Sequence, residues 1–254
     1  MFAFPMRTIL LAALLGGALA AQAAPPGYRP PRYRYTASRQ PYRRPPVRLT
    51  VGGNLAYYNG DITSRLKDNT LRLGLGIGLA QSLSPHLVYG ADLSYYRLQA
   101  ADALPYRNYR FTSTNGLLTT FLRYNLFADK SLYVGPNRRA SPVQVFVQAG
   151  VGVTLYDPVA TQLTADGVAY LTPEQRGGYP SLAGVLPVGG GITLQASRAV
   201  RFTLEGLYYF TTTDLLDDVS QRGNPKLTDD FATVSLKMEF AFYRKVGKPL
   251  VHFD

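Results

Sequence analysis

The chain has 254 residues, a formal charge of +11, 19 Tyr, 12 Phe, 24 Gly, two His, and neither Cys nor Trp. Without Cys there is no disulfide framework, thiolate nucleophile, Cys-based zinc site or lipid-modified cysteine, and His86 and His252 alone leave a multi-His metal centre or a Ser-His-Asp triad almost nothing to draw on. The aromatic and glycine content leans towards β structure, and no run of 18 apolar residues follows residue 25, which excludes a membrane-spanning helix.

Residues 1–23 read as a signal peptide. Arg7 is the basic n-region, 9–20 the apolar h-region, and Ala21-Gln22-Ala23 an A-x-A cleavage site that starts the mature chain at Ala24. An N-terminal anchor is the alternative, but the apolar run is short for a span. Export argues against a nucleic-acid partner. Residues 24–46 follow as a basic tether, carrying Arg29, Arg32, Arg34, Arg39, Arg43 and Arg44 among seven Pro and no acid. Such a composition buries no core and favours extended polyproline II, so a disordered linker is expected. Its charge also suits an anionic contact in the envelope, with lipid headgroups or a protein partner.

From residue 47 the sequence alternates. Eight segments with period two run over about 47–57, 71–80, 87–95, 118–126, 143–155, 186–195, 201–211 and 232–242. Val143, Val145, Val147, Ala149, Val151, Val153 and Leu155 share one face of the fifth; Gln144, Gln148, Gly150, Gly152 and Thr154 share the other. The expected fold is all-β, an eight-stranded antiparallel transmembrane β-barrel over 47–243, with a basic tail over 244–254.

A soluble barrel puts the apolar face inside; a membrane barrel puts it outside. Three features favour the second. The apolar faces are long enough to cross a bilayer obliquely. Aromatic residues gather towards the face ends, with Tyr57, Tyr95 and Phe210 at one end and Tyr89, Phe202, Phe240 and Phe242 at the other. The polar faces mix Gly with charge and predict a lumen network of Arg72, Asp92, Arg123, Arg201, Glu205, Lys237 and Glu239. The connections agree: long outer loops near 61–69, 97–113, 157–183 and 214–230, and turns near 81–86, 128–141 and 197–200, the second of them unusually long. Both termini are then periplasmic, and the protein sits in the outer membrane against its lipid.

Little chemistry emerges. Asp214, Asp217, Asp218, Asp229 and Asp230 make an acidic outer loop whose spacing is not that of an EF-hand. Asp214, Asp217, Asp218 and Ser220 are the candidate interaction loop. The glycine clusters at 74–78 and 189–191 lie mid-strand without a following helix or Lys, so they are not phosphate loops. No catalytic residue, cofactor or metal is expected.

Four stretches resemble the PorG-like outer-membrane barrels associated with type IX secretion, a family with many members of unassigned role. They are 53–61 (Gly-Asn-Leu-Ala-Tyr-Tyr-Asn-Gly-Asp), Tyr156-Asp157-Pro158 opening the third loop, 186–191 (Leu-Pro-Val-Gly-Gly-Gly) and 213–220 (Thr-Asp-Leu-Leu-Asp-Asp-Val-Ser). The resemblance implies an integral outer-membrane protein without established catalysis, acting through partners. The expected function is a structural or secretion-assembly role with an envelope protein partner; the alternative is capture of a ligand or surface polymer by the outer loops.

Overall fold

The computed structural model describes residues 33–60, 63, 66–101, 108–135, 141–164, 167–170, 181–197, 199–213, 216 and 229–241. Eight strands form the barrel: β1 (Arg48–Asn59), β2 (Leu73–Ser82), β3 (Leu87–Ala101), β4 (Tyr109–Asn125), β5 (Val143–Thr164), β6 (Leu182–Gln195), β7 (Val200–Thr211) and β8 (Asp230–Ala241). Each pairs antiparallel with its sequence neighbours, and β8 pairs with β1, from Asp230 opposite Asn59 to Ala241 opposite Arg48. The sheet is therefore closed and leaves no barrel edge unpaired. A short strand, Gly167–Tyr170, folds back on β5. The start of β1 and the end of β8 lie with the short connections, here called the turn end; the other is the loop end.

The alternation settles which face is outside. Leu75, Ile77, Val147, Val151, Leu204, Val234 and Leu236 are exposed, while Thr50, Asn54, Thr119, Gln148, Thr203, Glu205 and Ser235 are buried. An apolar exterior around a polar interior is what hydrocarbon solvent requires, so this is a membrane β-barrel. Tyr89 and Phe202 ring the belt at the turn end and Tyr95 and Phe210 at the loop end, each exposed. Phe242 lies outside the described residues.

Four strands exceed their expected lengths. β3 reaches Ala101, β4 begins at Tyr109, β5 reaches Thr164 and β6 begins at Leu182. The described residues of 97–113 and 157–183 are thus largely strand rather than loop, and Tyr156-Asp157-Pro158 lies within β5 rather than opening a loop. The pattern inverts there. Above the belt Arg97 and Asp157 face out, while Tyr96, Leu98, Phe111, Tyr156 and Ala160 turn into the barrel and are buried. The extension is built like a soluble barrel, apolar inside.

The N-terminal segment also departs from expectation. Residues 24–32 lie outside the described residues, but 33–46 are not a disordered linker. Arg34–Tyr35 pairs with Pro41–Tyr42, and Arg39, at φ 59°, turns the chain between them. Tyr42 bridges to Tyr133, while Arg43 N donates to Leu132 O at 2.9 Å and Val134 N to Pro41 O at 2.9 Å. Tyr42, 7% exposed, donates its hydroxyl to Leu83 O at 3.2 Å. Proline supplies the extended backbone, and the ring of Tyr42 supplies the buried surface that the composition hid. Tyr42→Ala is expected to destabilise by about 1–3 kcal/mol, read from denaturant unfolding of the folded barrel.

Candidate functional site: the filled lumen and its two mouths

Arg123 stands at the centre of the turn-end half of the lumen. Its guanidinium donates to Glu239 Oε1 at 3.1 Å, Glu205 Oε2 at 3.2 Å and Gln148 Oε1 at 3.1 Å. Its flat face lies 4.0 Å from the centroid of the Phe146 ring. Three acceptors and an aromatic face suit a planar, multiply donating cation better than an ammonium. Lys237 Nζ sits 2.5 Å from both Asp92 Oδ2 and Glu205 Oε1, so Glu205 bridges the two cations. Thr203 donates to Glu239 at 2.8 Å and Thr50 to Asp92 at 3.3 Å.

Strand register creates this cluster. Glu205 lies directly opposite Ser235 on β8 and Gly191 on β6. Small neighbours leave space for long charged side chains. At Gly78 an added Cβ would collide with Asp92 Oδ1 and approach Thr50 Oγ1 to 2.7 Å. Glycine there makes room for the acid that pairs with Lys237.

Asp92, Arg123, Arg201, Glu205, Lys237 and Glu239 occupy the interior as the alternation predicts. Arg72 does not. Strand β2 starts one residue later, and Arg72 is exposed at the loop end, its Nε donating to Gln99 Oε1 at 2.9 Å. Two other charges join the interior instead. Arg48, at the start of β1, is 5% exposed and borders the same small cavity as Arg123, Arg201 and Glu239. Asp129, in the long second turn, accepts from Arg201 at 2.7 Å. Inward parity at the first residue of β1 marks Arg48; nothing local marks Asp129.

Asp129 also explains the unusual length of that turn. It caps the short helix Lys130–Leu132, accepting from Ser131 N at 3.0 Å and Ser131 Oγ at 2.5 Å, while Leu132 is buried beneath. The turn folds over the mouth and delivers a carboxylate into it. Burial works to raise the Asp129 carboxyl; the Arg201 guanidinium and the Ser131 bonds outweigh it and hold it below the ordinary carboxylate range. With the folded value depressed, its stabilisation is complete above the unfolded value, near pH 4, and is lost as the pH falls through the folded value. Below about pH 4, stability of the wild type is expected to fall more steeply with acid than that of Asp129→Asn, measured by denaturant midpoints from pH 5 downward.

Aromatic rings fill the loop-end half. Tyr209 stacks on Phe231 with centroids 4.4 Å apart, Tyr96 on Phe231 at 4.9 Å, and Tyr58 meets Phe111 edge-on at 4.7 Å. Tyr58 donates to Asp229 Oδ1 at 2.6 Å, and Asp229 Oδ2 accepts from the amide of Leu216, which is fully buried. Between the aromatic and charged layers remains a cavity of about 20 Å³, lined by Asp92, Glu205, Lys237 and Tyr209 among others. That holds about one water, not a substrate.

Asp214, Asp217, Asp218 and Ser220 of the expected interaction loop lie outside the described residues, as do Arg29, Arg32 and His252. Asp229 and Asp230 are engaged with the barrel wall, Asp230 accepting from Tyr208 at 3.1 Å and from Thr211 N at 3.1 Å. Arg34, Arg39, Arg43 and Arg44 are exposed at the turn end, and Arg44 Nε donates to Leu83 O at 3.4 Å. His86 is a turn residue, its Nδ1 2.9 Å from Asn125 O and its ring stacked on Tyr124.

The sequence matches no family model and no curated protein. Solved structures do align. Neisserial surface protein A (NspA) aligns at 11% identity and a TM-score of 0.45, covering 78% of this chain and 99% of that one. Ail, the attachment invasion locus protein of Yersinia pestis, solved with the heparin analogue sucrose octasulfate, aligns at 9% identity and 0.42, over 77% and 97%. The outer membrane enzyme PagL aligns at 15% identity and 0.33, over 77% and 99%. At these identities and TM-scores no role is carried over from any of them.

Proposed function

We propose that the chain is a non-enzymatic integral outer-membrane β-barrel, a structural or assembly component of the cell envelope that works through its ends. The observation carrying this reading is the filled lumen. Ion pairs occupy one half and stacked rings the other, with a remaining cavity of about 20 Å³. Interior groups that bond to one another stabilise the barrel and offer no path to a solute. The ordered basic segment at the turn end supplies a contact surface. Arg34, Arg39, Arg43 and Arg44 project from a segment whose backbone is pinned to Leu132 and Val134 and whose Tyr42 hydroxyl is bonded to Leu83, on the periplasmic side in the proposed orientation. A cationic surface held in place favours an anionic envelope partner, with an attraction that weakens as salt shortens the Debye length from about 10 Å at 0.1 M to about 3 Å at 1 M. The PorG-like resemblance makes a type IX-like secretion assembly the specific form of this proposal.

Capture of a ligand or surface polymer by the outer loops is the second reading. It is favoured by the extension of β3 to β5 beyond the apolar belt, which holds polar residues out of the membrane. Affinity purification from membranes separates the two. The full chain should retain protein partners at low salt and lose them at high salt, and replacing Arg34, Arg39, Arg43 and Arg44 by Gln should abolish their retention. Partners unaffected by those substitutions and by salt would contradict the assembly reading and move the functional surface to the loops.

A further inference from the structure

We propose that the outer wall of β2 to β4 at the loop end binds the phosphate of an anionic membrane lipid, with Arg72, Arg97 and Arg110 around the headgroup and the leucines of β2 under its acyl chains. The inference rests on the membrane reading of the barrel and adds a lipid site to it.

Strand register puts the three arginines on one wall. On β3 the outward residues run Leu93, Tyr95, Arg97, Gln99, so apolar gives way to charge between Tyr95 and Arg97. Arg97 lies opposite Thr114 of β4, Gln99 opposite Thr112 and Ala101 opposite Arg110. Arg72 reaches the same wall because Thr70 N donates to Gln99 O at 2.8 Å and Arg72 Nε to Gln99 Oε1 at 2.9 Å. At about 3.3 Å per residue along a strand and 4.8 Å between strands, Arg97 and Arg110 stand roughly 14 Å apart at Cα. Arg72 meets Gln99, which lies between their two levels on β3. Flexible side chains of this length converge readily on one headgroup.

The charges are positioned for a lipid rather than for an internal partner. All three arginines are exposed, and among the described residues no carboxylate forms an ion pair with them. Inside the barrel, by contrast, Arg201 pairs with one carboxylate and Arg123 and Lys237 with two each. Arg97 Nε donates to the Tyr95 hydroxyl at 2.8 Å, which holds the guanidinium against the belt's upper edge. Of the acids at that level, Asp157 lies opposite Thr114 on β5, one strand beyond it, and Asp68 accepts from the Thr63 hydroxyl at 3.0 Å.

Below Arg72 the outer face of β2 is aliphatic. Leu73, Leu75, Ile77 and Leu79 are 71%, 64%, 50% and 40% exposed, with only glycine between them. On β7, β8 and the end of β1, Asn59, Tyr208 and Asp230 instead hydrogen-bond one another. A lipid phosphate therefore meets a basic rim over an apolar stripe on one sector of the perimeter. Each nearby Arg favours an anionic lipid by roughly fivefold.

The test uses full-length protein in phosphatidylcholine nanodiscs with a minor fraction of spin-labelled phosphatidic acid, and reads the motionally restricted lipid. The wild type should enrich the labelled phosphatidic acid over labelled phosphatidylcholine by about fivefold or more. Arg72→Gln, Arg97→Gln and Arg110→Gln combined should remove the enrichment, while Lys130→Gln, an exposed cation at the turn end, should preserve it. Heat-modifiable gel migration reports insertion separately, so a failed barrel and a failed lipid site are distinguishable. Equal enrichment by the wild type and the triple variant would overturn the proposal. So would displacement of the lipid by millimolar inorganic phosphate, which would mark a site for free anions.

Discussion

Glu205→Leu is expected to destabilise the barrel by about 3–5 kcal/mol, as removal of one member of a buried ion-pair cluster does. Glu205 is 2% exposed and touches both Arg123 and Lys237. Its loss takes one of two carboxylates from each cation, and leaves four interior cations, Arg48, Arg123, Arg201 and Lys237, facing three carboxylates, Asp92, Asp129 and Glu239. Leucine fills the space and accepts nothing. Adding Lys237→Met should not recover the loss, because Asp92 then keeps only the Thr50 hydroxyl. The coupling should amount to about 0.5–3 kcal/mol in a double-mutant cycle of denaturant unfolding in bilayers.

Val234→Arg should cost about 2–4 kcal/mol through a different mechanism, the burial of a cation in hydrocarbon. Val234 is 56% exposed and lies near the middle of β8, opposite Leu55 and Gly206. The same change at Thr112, outward on β4 but above the belt, should cost about 0–1 kcal/mol. Depth, not burial, separates the two positions. Equal costs at both would show that the exterior is not graded by a bilayer.

Period-two alternation made the barrel legible, because each strand crosses a solvent boundary with one face on each side. It also identified most of the lumen network: inward parity marks Asp92, Arg123, Arg201, Glu205, Lys237 and Glu239. The same reading stopped short where the environment changes along a strand. Above Leu155 most apolar residues of β5 lie inside, as Tyr156, Pro158 and Ala160, with Val159 left outward, because the outside is now water. A search for one continuous apolar face ends at that switch and takes the rest for loop. Arg72 was misplaced because parity was carried beyond the strand's first residue. Asp129 was hidden because its role depends on a turn folding across the mouth. Tyr42 was hidden by the company of Arg and Pro: a single buried ring decides where 33–46 lies, and composition averages it away.

The filled lumen constrains function more than any exposed feature does. Charges that neutralise one another within the barrel contribute rigidity, and rings that stack across the other half exclude water. What remains available to partners is the perimeter and the two ends, where Arg34, Arg39, Arg43 and Arg44 meet one compartment and the extended strands meet the other.

The inside-out arrangement is tested most directly by site-directed spin labelling, for which the natural absence of Cys is an advantage. Single cysteines at Val151, Leu204 and Leu236 should give labels accessible to oxygen dissolved in lipid and shielded from a water-soluble nickel chelate. Labels at Thr112 and Thr161, outward on the same sheet but above the belt, should show the reverse. Nickel accessibility at Val151, Leu204 and Leu236 equal to that at Thr112 and Thr161 would contradict a membrane-spanning exterior.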